Sequence, residues 1–437
     1  MPRAAIKTLG CKLNQYESEQ LRERLQSLGY AIVDFDCVSD VYIVNSCTVT
    51  AKTDRDTRRL ARRAKRRNPK ALVVVTGCYA ECSPQALSSM DEVDVVVGNA
   101  GKLAIPNALP SGDPLGVLSA QPADDLIDEF SGHTRCFVKV QEGCDAACTY
   151  CLIPRARGCS RSVPREVVVR QVRQLAARGY PEVVLIGTHL GQYGADLTSN
   201  GDLVSLTTEL CDLSEVQRLR LSSIEPREVS AGLLELVGHG GRALAPSMSP
   251  GHGKLCRHLH IPVQSGCDTV LRRMGRPYDT ELYRELVRDA LAAEPQTCLG
   301  TDVIVGFPGE TADEFERTLG FLESLPLAYL HVFSYSRRPG TPAAEMPDQV
   351  SPETKRDRNR TLRELSDRKR AAFARTMVGH SVEVVIQEGT PEGELKGLTD
   401  NYLVLTTSGP EGLLRRIVTC TVTDAEAGTL RGTLVAD

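Results

Sequence analysis

From residue 1 to about 100 the chain alternates short β-branched runs with stretches of helical period. "AAIKTLG", "DVYIVNS", "ALVVVTG" and "VDVVVGN" read as strands, while "YESEQLRERLQSLGY" and the arginine-rich stretch from 52 to 70 read as helices between them. Strands alternating with helices predict a parallel α/β sheet, placed at residues 1–105. The Gly/Pro/Asp-rich run "NALPSGDPLGVLSAQPADD" then breaks the period and reads as a linker, 106–131.

Beyond the linker, six strand candidates are separated by helical segments: "RCFVKV", "EVVLIGT", "RLRLSSI", "HLHIPV", "GTDVIVGF" and "AYLHVFSYS". Six such units predict an incomplete TIM-like (βα)6 barrel over 132–375, whose chemistry belongs at the C-terminal ends of its strands. Thr188, His189, Ser222, Ser223, Glu225, Gln264, Ser265, Ser334 and Tyr335 fall there. "GHGGRALAPSMSPGHG" reads as a mobile surface insertion between two units. After a basic helix in "SPETKRDRNRTLRELSDRKRAAFART" the pattern becomes strict alternation, in "VEVVIQE", "YLVLTTS", "LLRRIVTCTVTDA" and "TLRGTLVA". This tail, 376–437, predicts a small antiparallel β-barrel.

With 41% hydrophobic and 25% charged residues over 437 positions, the chain has the composition of a globular protein of two or three domains. No apolar run approaches a membrane span and the N-terminus lacks a leader's apolar core, so the expected location is the cytoplasm, with no membrane partner. Fifteen cysteines in such a chain argue for metal ligation where they cluster rather than for a disulfide framework. The net charge of −4 conceals a strong local bias: residues 52 to 70 carry ten Lys or Arg against two Asp. Helical spacing puts Arg55, Arg58, Arg59, Arg62 and Arg66 on one face, which suits either a solvated surface or a polyanionic partner.

Cys11, Cys47 and Cys78 each follow the C-terminal end of a predicted strand, in "LGCKLNQ", "VNSCTVT" and "VTGCYAE". α/β sheets gather ligands at that edge, so three distant cysteines are expected to converge. Cys82, four residues beyond Cys78, is a rival ligand. A second group, Cys144, Cys148 and Cys151 in "VQEGCDAACTYCLIPRARG", lies just after the first barrel strand. Zinc would need a fourth ligand there, from Cys136 or Cys159. A 4Fe–4S cluster held by three thiolates instead leaves one iron open to a small molecule.

"CDAACTYC", with the aromatic Tyr150 before its last cysteine, resembles the cluster loop of the radical S-adenosylmethionine (SAM) enzymes. The resemblance implies that methionine of SAM chelates the open iron and that electron transfer cleaves SAM to a 5′-deoxyadenosyl radical. The order of a cysteine-triad α/β domain, a radical-SAM barrel and a terminal β-barrel resembles the methylthiotransferases over essentially the whole chain. That family resemblance implies a 4Fe–4S cluster with SAM on Cys144, Cys148 and Cys151, a second 4Fe–4S cluster on Cys11, Cys47 and Cys78, and a terminal TRAM domain that binds RNA. It also implies an external electron donor and a sulfur source.

"NSCTVTAKTD", "CTYCLIPRARG", "IGTHLGQYGADL", "SSIEP" and "FSYSRRPGTPAA" are most similar to the branch that methylthiolates carbon 2 of threonylcarbamoyladenosine beside the tRNA anticodon. The other readings are the isopentenyladenosine tRNA branch, the ribosomal-protein aspartate branch, and a metal-stapled RNA-binding protein without activity. For SAM the candidates are Tyr150, Ser223, Glu225, Gln264 and Ser265. For the substrate's carboxylate they are Arg155, Arg157 and Arg161, since a planar guanidinium suits paired hydrogen bonds. Two features depart from the family pattern. Gly187, Thr188 and His189 replace the widespread GGE motif, and the tail carries nine Asp or Glu against four Lys or Arg, unlike a phosphate-binding surface.

Overall fold

The first five strands, β1 (Arg3–Thr8), β2 (Ala31–Ile32), β3 (Val41–Ser46), β4 (Leu72–Gly77) and β5 (Val95–Val97), form one parallel sheet in the order β2-β1-β3-β4-β5. Its central strand is buried along its whole length, as a sheet covered on both faces requires. Helix α1 (Lys12–Ser27) contributes Leu21 and Leu25 to one apolar layer. Helix α2 (Ala51–Arg67) contributes Leu60, Ala61 and Ala64 to the other. A Thr50/Thr53 capping box starts α2, satisfying amide groups that the first turn leaves unpaired. In this computed structural model the described residues are 1–109, 126–198, 201–241 and 253–435. Most of the expected linker (110–125) and of the expected insertion (242–252) lies outside them.

The chain forms two compact units. The first comprises Met1–Ser131, Lys139–Gln171 and Ser336–Ala344; the second comprises Gly132–Val138, Val172–Tyr335 and Glu345–Asp437. Strand β6 (Arg135–Lys139) runs from the second unit into the first, where β7 (Gln141–Glu142) and β8 (Arg161–Ser162) pair antiparallel and close the loop that carries Cys144, Cys148 and Cys151.

In the second unit β9 (Glu182–Ile186), β10 (Arg218–Leu221), β11 (His258–His260), β12 (Cys298–Val305) and β13 (Tyr329–Ser334) complete the six expected barrel strands. They stand as two three-stranded sheets, β6-β9-β10, in which β9 and β10 are parallel, and β11-β12-β13, parallel throughout, joined by a parallel bridge between Leu219 and Leu255. Glu182, fully buried, is held by Arg218 (Nε 2.7 Å) and Arg220 (Nε 2.9 Å).

The C-terminal strands β14 (Ser381–Gly389), β15 (Glu394–Thr399), β16 (Val404–Ser408), β17 (Ile417–Glu426) and β18 (Thr429–Leu434) close into a barrel in the order β14-β15-β16-β18-β17. Two details correct the sequence reading. There are five strands where four were expected: β15 was missed because Glu394, Lys396 and Gly397 blur its alternation. The barrel also closes through a parallel pair, β16 with β18. The same two arginines that hold Glu182 fix this barrel in place. Arg218 donates to the carbonyls of Glu383 (3.2 Å) and Leu398 (2.8 Å), and Arg220 to those of Thr399 and Asp400 (both 3.0 Å). Among the described residues no helix is long and apolar enough to cross a membrane.

Candidate metal centre

Strands β1, β3 and β4 run parallel, so the loops that follow them emerge at one edge. Glycine is required twice there. Gly10 has φ +97°, and a Cβ on it would stand 2.6 Å from Cβ and 2.7 Å from the sulfur of Cys47. Gly77 has φ +94°, and its Cβ would meet the Ser46 carbonyl oxygen at 2.4 Å. The loops bearing Cys11 and Cys78 therefore both press on Ser46 and Cys47. Asn14 fastens the Cys11 loop to the end of β3 by donating to the carbonyls of Leu9 (2.7 Å) and Ser46 (2.9 Å).

The electrostatics reflect the convergence of Cys11, Cys47 and Cys78. Burial pushes the Cys47 thiol up to about 11, and neighbouring Cys78 and Cys11 add to the shift against an amide bond from Val49 (3.5 Å). A thiol so placed ionises readily only when a cation or metal neutralises it. Asn99 Nδ2 donates to the Cys78 sulfur at 3.9 Å. Cys82 lies one turn along helix α3 (Cys78–Cys82), packed with Cys78, Leu152 and Ala156, and burial followed by Cys78 pushes it up to about 11.

Cys144, Cys148 and Cys151 are all half-buried on the loop between β7 and β8. Cys144 N–H donates to the Gly158 carbonyl and Cys151 N–H to that of Cys148, both at 3.1 Å. Backbone amides also point at sulfur: Ala146 N–H at Cys144 and Ile153 N–H at Cys151, each 3.4 Å. None of the fifteen cysteines forms a disulfide. Accessible thiols supplied with amide donors fit a thiolate-ligated iron–sulfur cluster. Tyr150 is half-buried within the same loop.

Both cysteine sets belong to the first compact unit, and polar bonds join their loops. Arg157, at the end of the short helix Ile153–Arg157, donates to Glu17 (2.7 Å), Glu142 (2.6 Å) and Asn14 (2.7 Å). Lys102 also pairs with Glu17. Burial alone pushes the Glu17 carboxyl up, but Arg157 and Lys102 outweigh it and hold the group below the usual carboxylate range. Asn99 Nδ2 donates to the Ala156 carbonyl at 2.6 Å.

This arrangement redistributes the expected substrate arginines. Arg157 is corrected outright: its side chain is fully buried between two carboxylates, which makes it a structural tie between the loops. Arg155 and Arg161 are exposed; Arg155 donates to the Cys82 carbonyl (2.8 Å) and Arg161 to that of Arg157 (3.2 Å).

The remaining candidates for SAM lie in the second unit. Ser223 is exposed, and Glu225 pairs with the buried Arg276. Gln264 takes φ +67°, and its backbone bridges to Val303 on β12. Ser265 is a second correction: it is fully buried, 3.2 Å from the Thr318 hydroxyl, and accepts from the Cys267 amide. His189 stands 2.6 Å from Glu228. A further group escaped the sequence reading, with His260 and His331 at 2.8 and 3.3 Å from one oxygen of Asp302. Burial opposes ionisation of Asp302, but hydrogen bonds from both histidines hold its pKa well below the ordinary value.

Asn14 and Glu17 were also missed, though α1 carried a signal for them. Asn14, Glu17 and Ser18 share its buried side, polar where an amphipathic helix is expected to be apolar.

Residues 3–98 match the uncharacterized protein family UPF0004, residues 138–322 the radical SAM superfamily and residues 375–435 the TRAM domain. A protein of Aquifex aeolicus (strain VF5) named threonylcarbamoyladenosine tRNA methylthiotransferase MtaB is 38% identical over 418 residues, covering 93% of this chain and 97% of that one. The protein of the same name from Bacillus subtilis (strain 168) is 38% identical over 432 residues, covering 96% and 93%. Among solved structures, the radical S-adenosylmethionine methyltransferase TsrM from Kitasatospora setae aligns with a TM-score of 0.58 over 79% of this chain and 77% of that chain. At 16% identity that likeness concerns the fold alone.

Proposed function

The chain belongs to the radical-SAM tRNA methylthiotransferases, and we propose that it methylthiolates carbon 2 of N6-threonylcarbamoyladenosine beside the tRNA anticodon. The observation that carries this reading is the 38% identity to relatives of that name, spread over more than nine-tenths of both chains. Membership in the radical SAM superfamily implies a 4Fe–4S cluster and SAM. When bound, that pair supplies the radical reactivity that an unactivated aromatic carbon demands.

In this reading Cys144, Cys148 and Cys151 would hold the cluster that accompanies SAM, with Tyr150 in the same loop. Cys11, Cys47 and Cys78 would hold a second 4Fe–4S cluster, whose chemistry would be to hold or supply the sulfur. Backbone amides aim at the sulfurs of Cys144, Cys151 and Cys47, one or more at each set, as donors to a metal-bound thiolate would. Arg157, Glu17 and Asn14 keep the two loops in register. An external electron donor and a sulfur source complete the reaction, which takes place in the cytoplasm.

tRNA binding rests on charge. Arg55, Arg59, Arg62 and Arg66 line the exposed side of α2, while Arg58 is half-buried against the Tyr79 hydroxyl. The basic helix Pro352–Thr376 offers further positive surface in the second unit, where the acidic TRAM barrel does not. The deciding experiment incubates reconstituted protein with SAM, reductant and tRNA bearing threonylcarbamoyladenosine, and reads nucleosides by mass spectrometry. The 2-methylthio product is expected; conversion only of isopentenyladenosine tRNA, or only of a ribosomal protein, overturns the assignment.

A further inference from the structure

Ser336–Ala344 lies apart in sequence from the rest of the first unit, yet it packs within that unit as a strap. Its hydrogen bonds reach the loops of both cysteine sets. Ser336 Oγ accepts from the Ala51 amide at the start of α2 (3.0 Å). Arg338, buried, donates to Thr48 (2.6 Å) and Asp54 (2.5 Å), so it sits one residue from Cys47 in the chain it touches. Ala343 N–H donates to the Thr149 carbonyl (2.8 Å), between Cys148 and Tyr150. At Gly340 a Cβ would stand 2.8 Å from Arg155.

Exposure alternates along the strap: Ser336 is half-buried, Arg337 exposed and Arg338 buried. Arg337 therefore projects from a backbone fixed on both sides. Its neighbours in charge are committed within the unit. Arg155 binds the Cys82 carbonyl, Arg157 binds Glu17 and Glu142, Arg161 binds the Arg157 carbonyl, and Arg338 binds Asp54. Arg337 has no hydrogen-bond or ion-pair partner among the described residues.

We propose that Arg337 is the residue that binds the substrate's carboxylate and thereby selects a threonylcarbamoyl group over an apolar one; the proposal rests on the threonylcarbamoyladenosine reading above. A carboxylate matches the guanidinium fork in charge and in geometry. A fixed backbone lowers the ordering cost of that bond, because only the side chain has to be immobilised. An isopentenyl group offers nothing to which the fork can bond, so Arg337 discriminates through the polar end of the modification rather than through the adenine.

The test compares wild type with Arg337→Ala, Arg337→Gln and Arg337→Lys after reconstitution. Iron content and reductive SAM cleavage are expected unchanged, since Arg337 is neither a ligand nor buried. On tRNA bearing threonylcarbamoyladenosine, KM is expected to rise roughly ten- to a hundredfold in the Ala and Gln variants, the range for a charge-assisted hydrogen bond, with partial recovery in the Lys variant. Binding of the same tRNA without the modification is expected to stay at the wild-type value. An equal loss on unmodified tRNA overturns the inference and makes Arg337 a phosphate contact. Unchanged KM in the Ala and Gln variants overturns it while leaving the substrate reading standing. Failure of wild type itself on threonylcarbamoyladenosine tRNA overturns both.

Discussion

Arg157 donates to Glu17 at 2.7 Å across 140 residues of sequence, tying the helix behind Cys151 to the helix behind Cys11. Glu142 sits on the same guanidinium, so its removal leaves two carboxylates buried without their shared cation. Arg157→Met is expected to cost about 3–5 kcal/mol of stability, the usual consequence of breaking a buried pair from one side. Thermal unfolding of the cluster-free protein measures this, and an unchanged midpoint would show that Lys102 alone suffices for Glu17.

Two separable clusters make a quantitative expectation for iron. Changing Cys144, Cys148 and Cys151 together to Ala should leave about half the iron and abolish reductive SAM cleavage, because an open iron at that loop is what SAM requires. Changing Cys11, Cys47 and Cys78 together should also remove about half the iron, yet spare SAM cleavage while ending sulfur insertion. Iron and sulfide assays with product analysis distinguish the two. Full iron in either triple variant would refute the ligand sets.

The exposed side of α2 predicts a salt effect. Arg55, Arg59, Arg62 and Arg66 changed to Glu should weaken tRNA binding and flatten its dependence on salt, the slope of log K against log salt falling by roughly one for each phosphate that the helix no longer neutralises. Arg58 is left intact in this variant because it bonds Tyr79. Titrations across a salt series that superimpose on wild type would make this face a solvated one.

Acid should weaken the second unit through Glu182. Burial pushes its pKa up, but Arg220 and Arg218 outweigh burial and hold it well below the ordinary value. A carboxyl depressed in the folded state contributes its full stability above its unfolded pKa of about 4.3 and loses it progressively as the pH falls from there toward the lower folded pKa. Glu182→Gln should therefore be less stable than wild type near neutrality, and the gap in urea midpoint should narrow below about pH 4. A gap constant across that range would assign the stability to packing instead.

What local pattern encodes, the sequence displayed. β-branched runs and helical period located β1, β3, β4 and all six barrel strands, since these depend on neighbours within a few residues. The spacing of Cys144, Cys148 and Cys151 is local as well. Even the meeting of Cys11, Cys47 and Cys78 followed from strand direction alone, because parallel strands must end at one edge. β15 escaped because a short strand with Glu394, Lys396 and Gly397 displays little alternation, and its partners β14 and β16 supply the pairing that decides it.

Which charge meets which was a tertiary matter. In "PRARG" the arginines are indistinguishable by type, yet folding buries Arg157 on Glu17 and Glu142 and leaves Arg155 exposed. The strap shows the same division, with Arg337 in solvent and Arg338 on Asp54. A buried charge persists only where opposite charges come to it, and those partners lie up to 284 residues away. No periodicity carries that information, so the choice between structural and available arginines belongs to the fold.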